Sequence, residues 1–308
     1  MKKEMISFWK NTWKNRSLVL MALPALVLMI MFSYVPMYGL VLAFKRFNYM
    51  QGFNSPWCGF ENFRYIFLVG ETFWRITRNT IGYYLLFTIV GTVAKVLIAI
   101  GLNEMIYKKM AKFFQSCMVL PHFISYIAIS FVVYALLKTE GGVINQWIAS
   151  MGGEKINFYA DAGKWPAILL IVNTWKTVGY GSVLYLSVLV GIDPGLYEAA
   201  DLDGATAWQK MRYVTIPMLI PMIIITTLLG LGSIMQSDTG LFYQVTKNSG
   251  ALYSTTQVLD SYVLNAIKTG SDFGVTAATT FYQSVIGSIM VIGTNLVVRK
   301  ISPDNAIF

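Results

Sequence analysis

The sequence of 308 residues is poor in charge and in the side chains that most often perform catalysis. Charged residues make up only 13% of the chain, which is about half the share of a typical soluble protein. One histidine and two cysteines are present, with no cluster of metal-ligand spacing and no nucleophile near a base. We therefore expect no catalytic residue and no metal site, and a chain that is not an enzyme.

A phosphate-binding loop of the G-x-x-x-x-G-K-[ST] type is also missing. The nearest fragment, Ala162-Gly163-Lys164-Trp165, lacks both the first glycine and the final hydroxyl residue. We therefore expect that this chain does not hydrolyse ATP by that route and that it holds no cofactor of its own.

Apolar residues, in contrast, make up 56% of the chain. They fall into six stretches, each long enough to cross about 30 Å of hydrocarbon as a helix. None of them alternates with period two as a barrel strand does. The sequence predicts an all-α integral membrane protein with six transmembrane helices, near 18–44, 80–102, 113–137, 165–191, 213–235 and 273–298.

The net charge of +9 reflects basic residues that flank these stretches. Lys and Arg are denser on the side of the membrane that holds the N-terminus, which predicts that both termini are cytoplasmic. The first stretch lacks a small-x-small cleavage pattern and is expected to be a retained anchor. We expect contact with membrane lipid and no nucleic-acid partner.

The loop after the first stretch contains FENFRYIFLVGETFWRI, from Phe60 to Ile76. Large apolar residues alternate there with acidic and basic ones, which fits a helix lying at the membrane interface. An ordinary packed loop helix fits the same pattern, and both interpretations stay open.

A compact polar block interrupts the apolar runs before the fifth stretch: EAADLDGATAWQKMRYVTIP, from Glu198 to Pro217. Just ahead of it, Asp193-Pro194 predicts the start of a helix, because the aspartate can cap free amides and proline loses no hydrogen bond at the first helical position. A short helix over 194–202 is expected.

Gly204 predicts a sharp turn after this helix, because glycine adopts a positive φ that other residues disfavour. Asp203 beside it either ends the first helix or caps a second one, over 205–211. The block is therefore expected to form a helix, a turn and a helix.

This block resembles the Glu-Ala-Ala signature of permease subunits of ABC importers: Glu-Ala-Ala, three residues, Gly, nine residues, Ile-x-Leu-Pro. The matching positions are Glu198, Ala199, Ala200, Gly204 and Pro217. Valine and isoleucine replace the Ile and Leu of the signature, both conservatively. The block lies before the penultimate span, as in that family.

The resemblance extends over nearly the whole chain. The segments LPALVLMIMFSYVPMYGLVLAFKRFN, SPWCGFENF and RNTIGYYLLFTIVGT, and the Ser302-Pro303 ending, are similar to carbohydrate importers of the maltose-permease class. They most resemble the subgroup that imports oligosaccharides from polysaccharides such as alginate or pectin. This implies an N-terminal tail, anchor and external segment over 1–75, a permease core over 76–299 and a tail over 300–308.

The resemblance also implies a fold, a location and a mechanism. The implied fold is that of a type I ABC importer permease in the bacterial cytoplasmic membrane. The block would be a cytoplasmic coupling helix seated on an ATPase subunit. Glu198 would meet a basic group there, Gly204 would shape the turn, and Ala199 and Ala200 would allow close approach, with Asp203 and Pro217 in the same motif. The implied partners are a second, different permease subunit, two ATPase subunits that bind ATP and Mg²⁺, and an extracytoplasmic sugar-binding protein.

A sugar path needs hydrogen-bonding groups and aromatic faces inside the bundle. The fourth and sixth stretches supply candidates: Asn173, Trp175, Lys176, Tyr180, Tyr282 and Gln283. Each of them is also compatible with helix packing or an interfacial position.

Two lysines and the one histidine lie inside the stretches. Lys95 and Lys176 should face the interior, a partner or the interface, because a lysine in mid-bilayer costs roughly 2.5–3.5 kcal/mol. Lys95 is expected to snorkel to the interface, and Lys176 is the better pathway candidate. His122 follows Pro121, and a hydrogen bond beside the kink is expected for it rather than a metal or proton role.

The alternative function is a secondary carrier or channel driven by an ion gradient, which six spans and buried lysines permit. Carriers of that kind usually hold carboxylates at membrane depth. The six stretches contain none, which favours the ABC importer.

Overall fold

The computed structural model describes residues 14–68, 70–270 and 273–301. Most of these residues are helical, and the β pairing among them is one isolated antiparallel bridge between Lys45 and Trp57. The α-helices are α1 (Arg16–Met29), α2 (Glu61–Leu68), α3 (Gly70–Glu104), α4 (Lys108–Val119), α5 (Tyr126–Leu137), α6 (Val143–Ser150), α7 (Trp165–Val190), α8 (Pro194–Leu202), α9 (Ala207–Lys210), α10 (Ile216–Leu231), α11 (Tyr253–Thr256), α12 (Leu259–Lys268) and α13 (Phe273–Ile301).

The prediction of a six-span helical bundle is confirmed, with one span bent. Five helical segments in the described ranges are long and apolar enough to cross a membrane: Arg16–Phe44, Gly70–Glu104, Ala162–Val190, Ala207–Leu231 and Phe273–Leu296. The sixth is a pair, Lys108–Phe123 and Tyr126–Leu137, bent by 98°.

The bend follows from the sequence at the end of α4. Pro121 lies in a short 3-10 turn, Leu120–Phe123, and has no N–H to continue an α-helix. Ser125 then starts α5 as its N-cap, since its hydroxyl accepts a hydrogen bond from the amide of Ala128 at 3.3 Å.

Two compact units make up the described chain: residues 14–68 with 270 and 273–281, and residues 70–269 with 282–301. In the first unit, aromatic rings pack near the start of α2, with Phe44 contacting Phe63 at 5.3 Å and Phe281 at 5.5 Å between centroids. The Asn62 side-chain amide donates to the carbonyls of Ala43 and Lys45 at 2.8 and 3.0 Å.

The helix predicted over Phe60–Ile76 is divided. Its first half is the short α2, and its second half is the first turns of α3, which begins at Gly70. The sequence-based division between 75 and 76 therefore falls inside α3. The charged residues Glu71 and Arg75 lie on this extension of the span and not on a separate helix.

The second unit contains two clusters of buried apolar side chains. The first cluster joins α3, α5, α7 and the turn Gly240–Val245, and includes Trp165, Leu169 and Phe242. The second cluster, around Ala99, Leu189 and Leu219, joins α3, α7 and α10. Helices α3 and α7 pack along each other and contribute to both.

Polar contacts fix the loops beside the first cluster. The Tyr159 hydroxyl donates to the carbonyl of Val245 at 3.3 Å, and burial raises the pKa of this phenol to about 12. The neighbouring Asp161 accepts from the Lys164 ammonium, which lowers the pKa of the carboxyl. Asn145 in α6 is buried and donates to the carbonyls of Lys138 and Ile156.

Helices α4 and α7 approach each other closely at Gly179. A Cβ atom at this position would lie 1.8 Å from the carbonyl oxygen of Met118, a backbone atom that cannot rotate away. Only glycine therefore fits between the two helices here.

We predict that Gly179→Ala destabilises the protein by about 1–3 kcal/mol, the usual range for overpacking. The measurement is the thermal unfolding midpoint in detergent, with Gly293→Ala as matched control. A Cβ at Gly293, also within a helix, meets nothing within 4 Å. Equal midpoints for the two variants would show that the close approach of α4 and α7 does not exclude a side chain at position 179.

Candidate functional site: polar elbow and membrane cavity

The block from Glu198 to Pro217 begins with α8, whose observed bounds match the predicted helix. Asp193 is its N-cap and accepts from the amide of Gly195 at 2.9 Å. Gly204 has φ +74°, so a side chain there would be strained although space is open.

Helix α8 ends in a Schellman motif. The amide of Ala205 donates to the carbonyl of Ala200 at 2.9 Å, and the amide of Gly204 donates to the carbonyl of Asp201 at 3.1 Å. Asp203 is the C-cap residue, so of the two roles left open for it, the structure shows the end of the first helix.

The second helix of the block starts later than expected. Thr206 is its N-cap and forms a capping box with Gln209. The backbone amide of Gln209 donates to the Thr206 hydroxyl at 3.3 Å, and the backbone amide of Thr206 donates to the side-chain oxygen of Gln209 at 2.7 Å. The predicted helix over 205–211 is thus the shorter α9, followed by a π turn, Met211–Thr215, that continues into α10.

Two contacts brace this polar elbow, residues 193–217. Lys210 forms an ion pair with Asp201 at 2.7 Å, which ties α9 to α8. The Tyr197 and Thr215 hydroxyls lie 3.0 Å apart and join α8 to the start of the fifth span. The elbow is therefore a stiff unit and not a linker.

Most motif residues of the elbow are exposed. Ala200 is half-buried, whereas the exposed positions include Leu202, which is 90% exposed. No hydrogen bond or ion pair joins the Glu198 carboxylate to another side chain among the residues described. The exposed residues of the motif itself are Glu198, Ala199, Asp203, Gly204 and Pro217.

A cavity of about 330 Å³ lies inside the second unit. One face of α3 forms its longest wall, from Thr80 to Lys95, which corresponds to roughly 22 Å at 1.5 Å per residue. The lining positions of α3 follow the spacing of a single helix face: Thr80, Tyr83, Tyr84, Phe87, Thr88, Thr92 and Lys95.

The other walls come from α7, α10 and the turn after α10. Helix α7 supplies Asn173, Thr177 and Tyr185, and α10 supplies Thr226 and Thr227. The hydroxyls of Thr226 and Tyr185 lie 2.9 Å apart. The turn adds Asp238, Leu241 and Phe242 among others. Hydroxyl groups, amides and aromatic rings thus share the lining.

Lys95 lines this cavity, so it faces the interior, one of the positions expected for it. Its stem lies against Gly181 of α7, where a Cβ atom would be 2.6 Å from Cε of the lysine. The missing side chain at Gly181 leaves room for the lysine between two helices.

Lys176 is buried beside the bend and does not line the cavity. Its ammonium donates to the carbonyls of Pro121, His122 and Ile124, the second at 2.8 Å, and lies 4.8 Å from the ring centroid of Tyr126. The Pro121 carbonyl also accepts from the amide of Ile124 at 3.2 Å, whereas no backbone amide of the described residues is bonded to the His122 and Ile124 carbonyls, because the helix breaks there. Lys176 therefore stabilises the bend.

The remaining pathway candidates are dispersed. Trp175 and Tyr180 are about half exposed on the outside of this chain, at 47% and 54%. Tyr282 packs on Phe73 at 5.0 Å between centroids. Gln283 is buried and donates to the carbonyl of Met235 at 2.9 Å. Of the predicted set, the cavity brings in Asn173 alone.

The prediction of a kink-side hydrogen bond for the His122 side chain was wrong. Its Nδ1 is buried without a partner in the described part of the chain. The imidazole instead stacks on Tyr180, with centroids 4.2 Å apart and an interplanar angle of 8°. The hydrogen bond at the kink is made by the His122 carbonyl, which accepts from Lys176.

Comparison with known proteins decides the family. The profile of the family described as "binding-protein-dependent transport system inner membrane component" matches residues 95–303, more than half of the chain. This chain belongs to that family. It is accordingly a multi-pass membrane component of a transport system and not an enzyme. The family assignment inferred from the elbow sequence is confirmed.

Two curated relatives come from Bacillus subtilis. Protein LplB is 29% identical over 300 residues, covering 97% of this chain and 93% of LplB. The polygalacturonan/rhamnogalacturonan transport system permease protein YteP is 28% identical over 292 residues, covering 94% of this chain and 90% of YteP.

A solved structure gives the same assignment for the fold. It is described as a bacterial ABC transporter involved in the import of the acidic polysaccharide alginate. It superposes with a TM-score of 0.87 at 29% identity, covering 96% of this chain and 99% of that chain. The fold of this permease is therefore that of an ABC importer subunit.

We predict that Lys176→Met destabilises the permease by about 1–3 kcal/mol, because the carbonyls of His122 and Ile124 at the bend lose their donor. The measurement is the thermal unfolding midpoint in detergent. Lys112→Met, at an exposed lysine of α4, is the control and should leave the midpoint unchanged. If Lys176→Met matched this control, the ammonium would not be needed at the bend.

Proposed function

We propose that this permease forms half of the translocation path of an ATP-driven importer of oligosaccharides released from polysaccharides. The cavity between α3, α7 and α10 is the observation that carries this proposal. Its threonine and tyrosine hydroxyls and the Asn173 amide can bind sugar hydroxyls, and the rings of Phe87 and Phe242 can pack on apolar sugar faces.

The names of the relatives support this substrate class. YteP is named for polygalacturonan and rhamnogalacturonan transport, and the superposed structure belongs to an alginate importer. A second solved structure with a TM-score of 0.86 at 28% identity contains an alginate pentasaccharide-bound periplasmic protein. We therefore propose an extracytoplasmic binding protein that delivers a short oligosaccharide to this permease.

The elbow is proposed to be the site of coupling to an ATPase subunit. Glu198, Ala199, Ala200, Asp203, Gly204 and Pro217 would form the contact. The exposed apolar side chain of Leu202 fits burial by a partner protein. The remaining subunits are then a second, different permease and two ATPases, and ATP with Mg²⁺ binds to the ATPases.

A continuous helix supports this mechanical role. Ala207–Leu231 runs from the elbow into the membrane, and near its far end Thr226 lines the cavity. The rise from Lys210 to Thr226 is roughly 24 Å. A displacement of the elbow would thus move one wall of the cavity, whereas a flexible loop would absorb it. Both termini would then be cytoplasmic, on the same side as the elbow.

The test of the proposed function is ATP hydrolysis by the whole complex. We expect that the intact importer, purified through this chain, contains ATPase subunits and hydrolyses ATP faster when its binding protein and an oligosaccharide are added. Uptake into vesicles that needs an ion gradient and no ATP would support the secondary carrier instead.

Gly204 provides a sharper test of coupling. Gly204→Val should abolish sugar-stimulated ATP hydrolysis while the chain still inserts into the membrane, because a β-branched residue at φ +74° costs about 1–2 kcal/mol and distorts the turn. Gly204→Asn is the matched variant, since asparagine tolerates the left-handed region, and it should retain most of the activity. Normal stimulation in Gly204→Val would remove the elbow from the coupling mechanism.

A further inference from the structure

Lys95 is a cation inside the cavity without an anionic partner in the described part of the chain. No hydrogen bond or ion pair joins its ammonium to another of those residues. It projects from the α3 face that forms the long wall, four helical turns from Thr80. The group is therefore available to whatever occupies the cavity.

Gly181 leaves a slot for this side chain. A Cβ at Gly181 would lie 2.6 Å from Cε and 2.7 Å from Cδ of the lysine. Because Gly181 is on α7 and Lys95 is on α3, the slot is a feature of the packing of these two helices. It holds the stem of Lys95 against α7 at the wall of the cavity.

The other charged group in the lining is Asp238, and no ion pair joins it to Lys95 in the described part of the chain. Its Oδ1 accepts from the backbone amide of Gly240 at 2.8 Å. The remaining lining residues are uncharged: threonines, tyrosines, phenylalanines, amides, a serine, a leucine and a glycine. Thr92 and Thr88, one and two turns before Lys95 on the same face of α3, offer neutral hydrogen-bonding groups.

We propose that Lys95 is a specificity residue that makes the path selective for acidic oligosaccharides, by pairing with a uronate carboxylate. This inference rests on the proposed function. A cation in the lining of a cavity, with no ion pair of its own among the described residues, attracts an anionic ligand and gains nothing comparable from a neutral one. The threonine hydroxyls on the same face of α3 then bind sugar hydroxyls of the oligosaccharide.

The experiment uses the complete importer with its own binding protein in proteoliposomes and measures sugar-stimulated ATP hydrolysis. The probes are two acidic trisaccharides, of galacturonate and of mannuronate, and two neutral ones, of arabinose and of xylose. We expect stimulation by an acidic probe, and a loss of about tenfold or more in apparent affinity for it in Lys95→Met. Lys95→Arg, which keeps the charge, should retain most of the response.

Lys109→Met is the matched control, because this lysine is exposed and does not line the cavity. It should behave like the wild type, and gel filtration checks that every variant assembles. If the neutral probes alone stimulate the wild type, or if Lys95→Met responds to the acidic probe as the wild type does, the inference fails while the proposed function stands. If no carbohydrate stimulates the wild-type complex, the proposed function itself fails.

Discussion

The bend between α4 and α5 depends on a buried cation, and the cavity depends on that bend. Lys176 donates to three carbonyls at the break in the helix, and within the described ranges those of His122 and Ile124 have no backbone partner there. Helix α5 can then leave at 98° and pack against the turn Gly240–Val245. That turn carries Leu241 and Phe242 into the cavity lining. A charge in the membrane is thus a structural requirement of the site.

Signals within a few residues of each other made the elbow predictable. Proline at the first helical position, an aspartate N-cap and glycine after the C-cap gave the bounds of α8 without reference to the rest of the chain. The six spans were predictable for a similar reason, because length and hydropathy are local properties. The predicted start of α9 was too early because Thr206 and Gln209 form a capping box, which makes Ala207 the first helical residue.

The roles of the two lysines could not be predicted, because each depends on packing between helices distant in sequence. Lys176 lies beside Trp175 and Thr177, which suggested a polar path, yet it faces the bend in another span. Lys95 reaches the cavity because Gly181, on α7, leaves space. The stripe of threonines and tyrosines on α3 was visible in the sequence as a 3.6-residue period, and it is the signal that could have located the cavity.

The same helices connect the two parts of the proposed mechanism. The Tyr185 hydroxyl and the Thr226 hydroxyl are 2.9 Å apart, so the wall that continues into the elbow is bonded to the wall that carries Asn173. Helix α7 is in turn fixed to the bend through Lys176 and Gly179. If α10 moves with the elbow, this hydroxyl pair joins the moving wall to the fixed wall. Opening of the cavity therefore requires the pair to separate or α7 to move as well, and the backbone contact at Gly179 opposes the second.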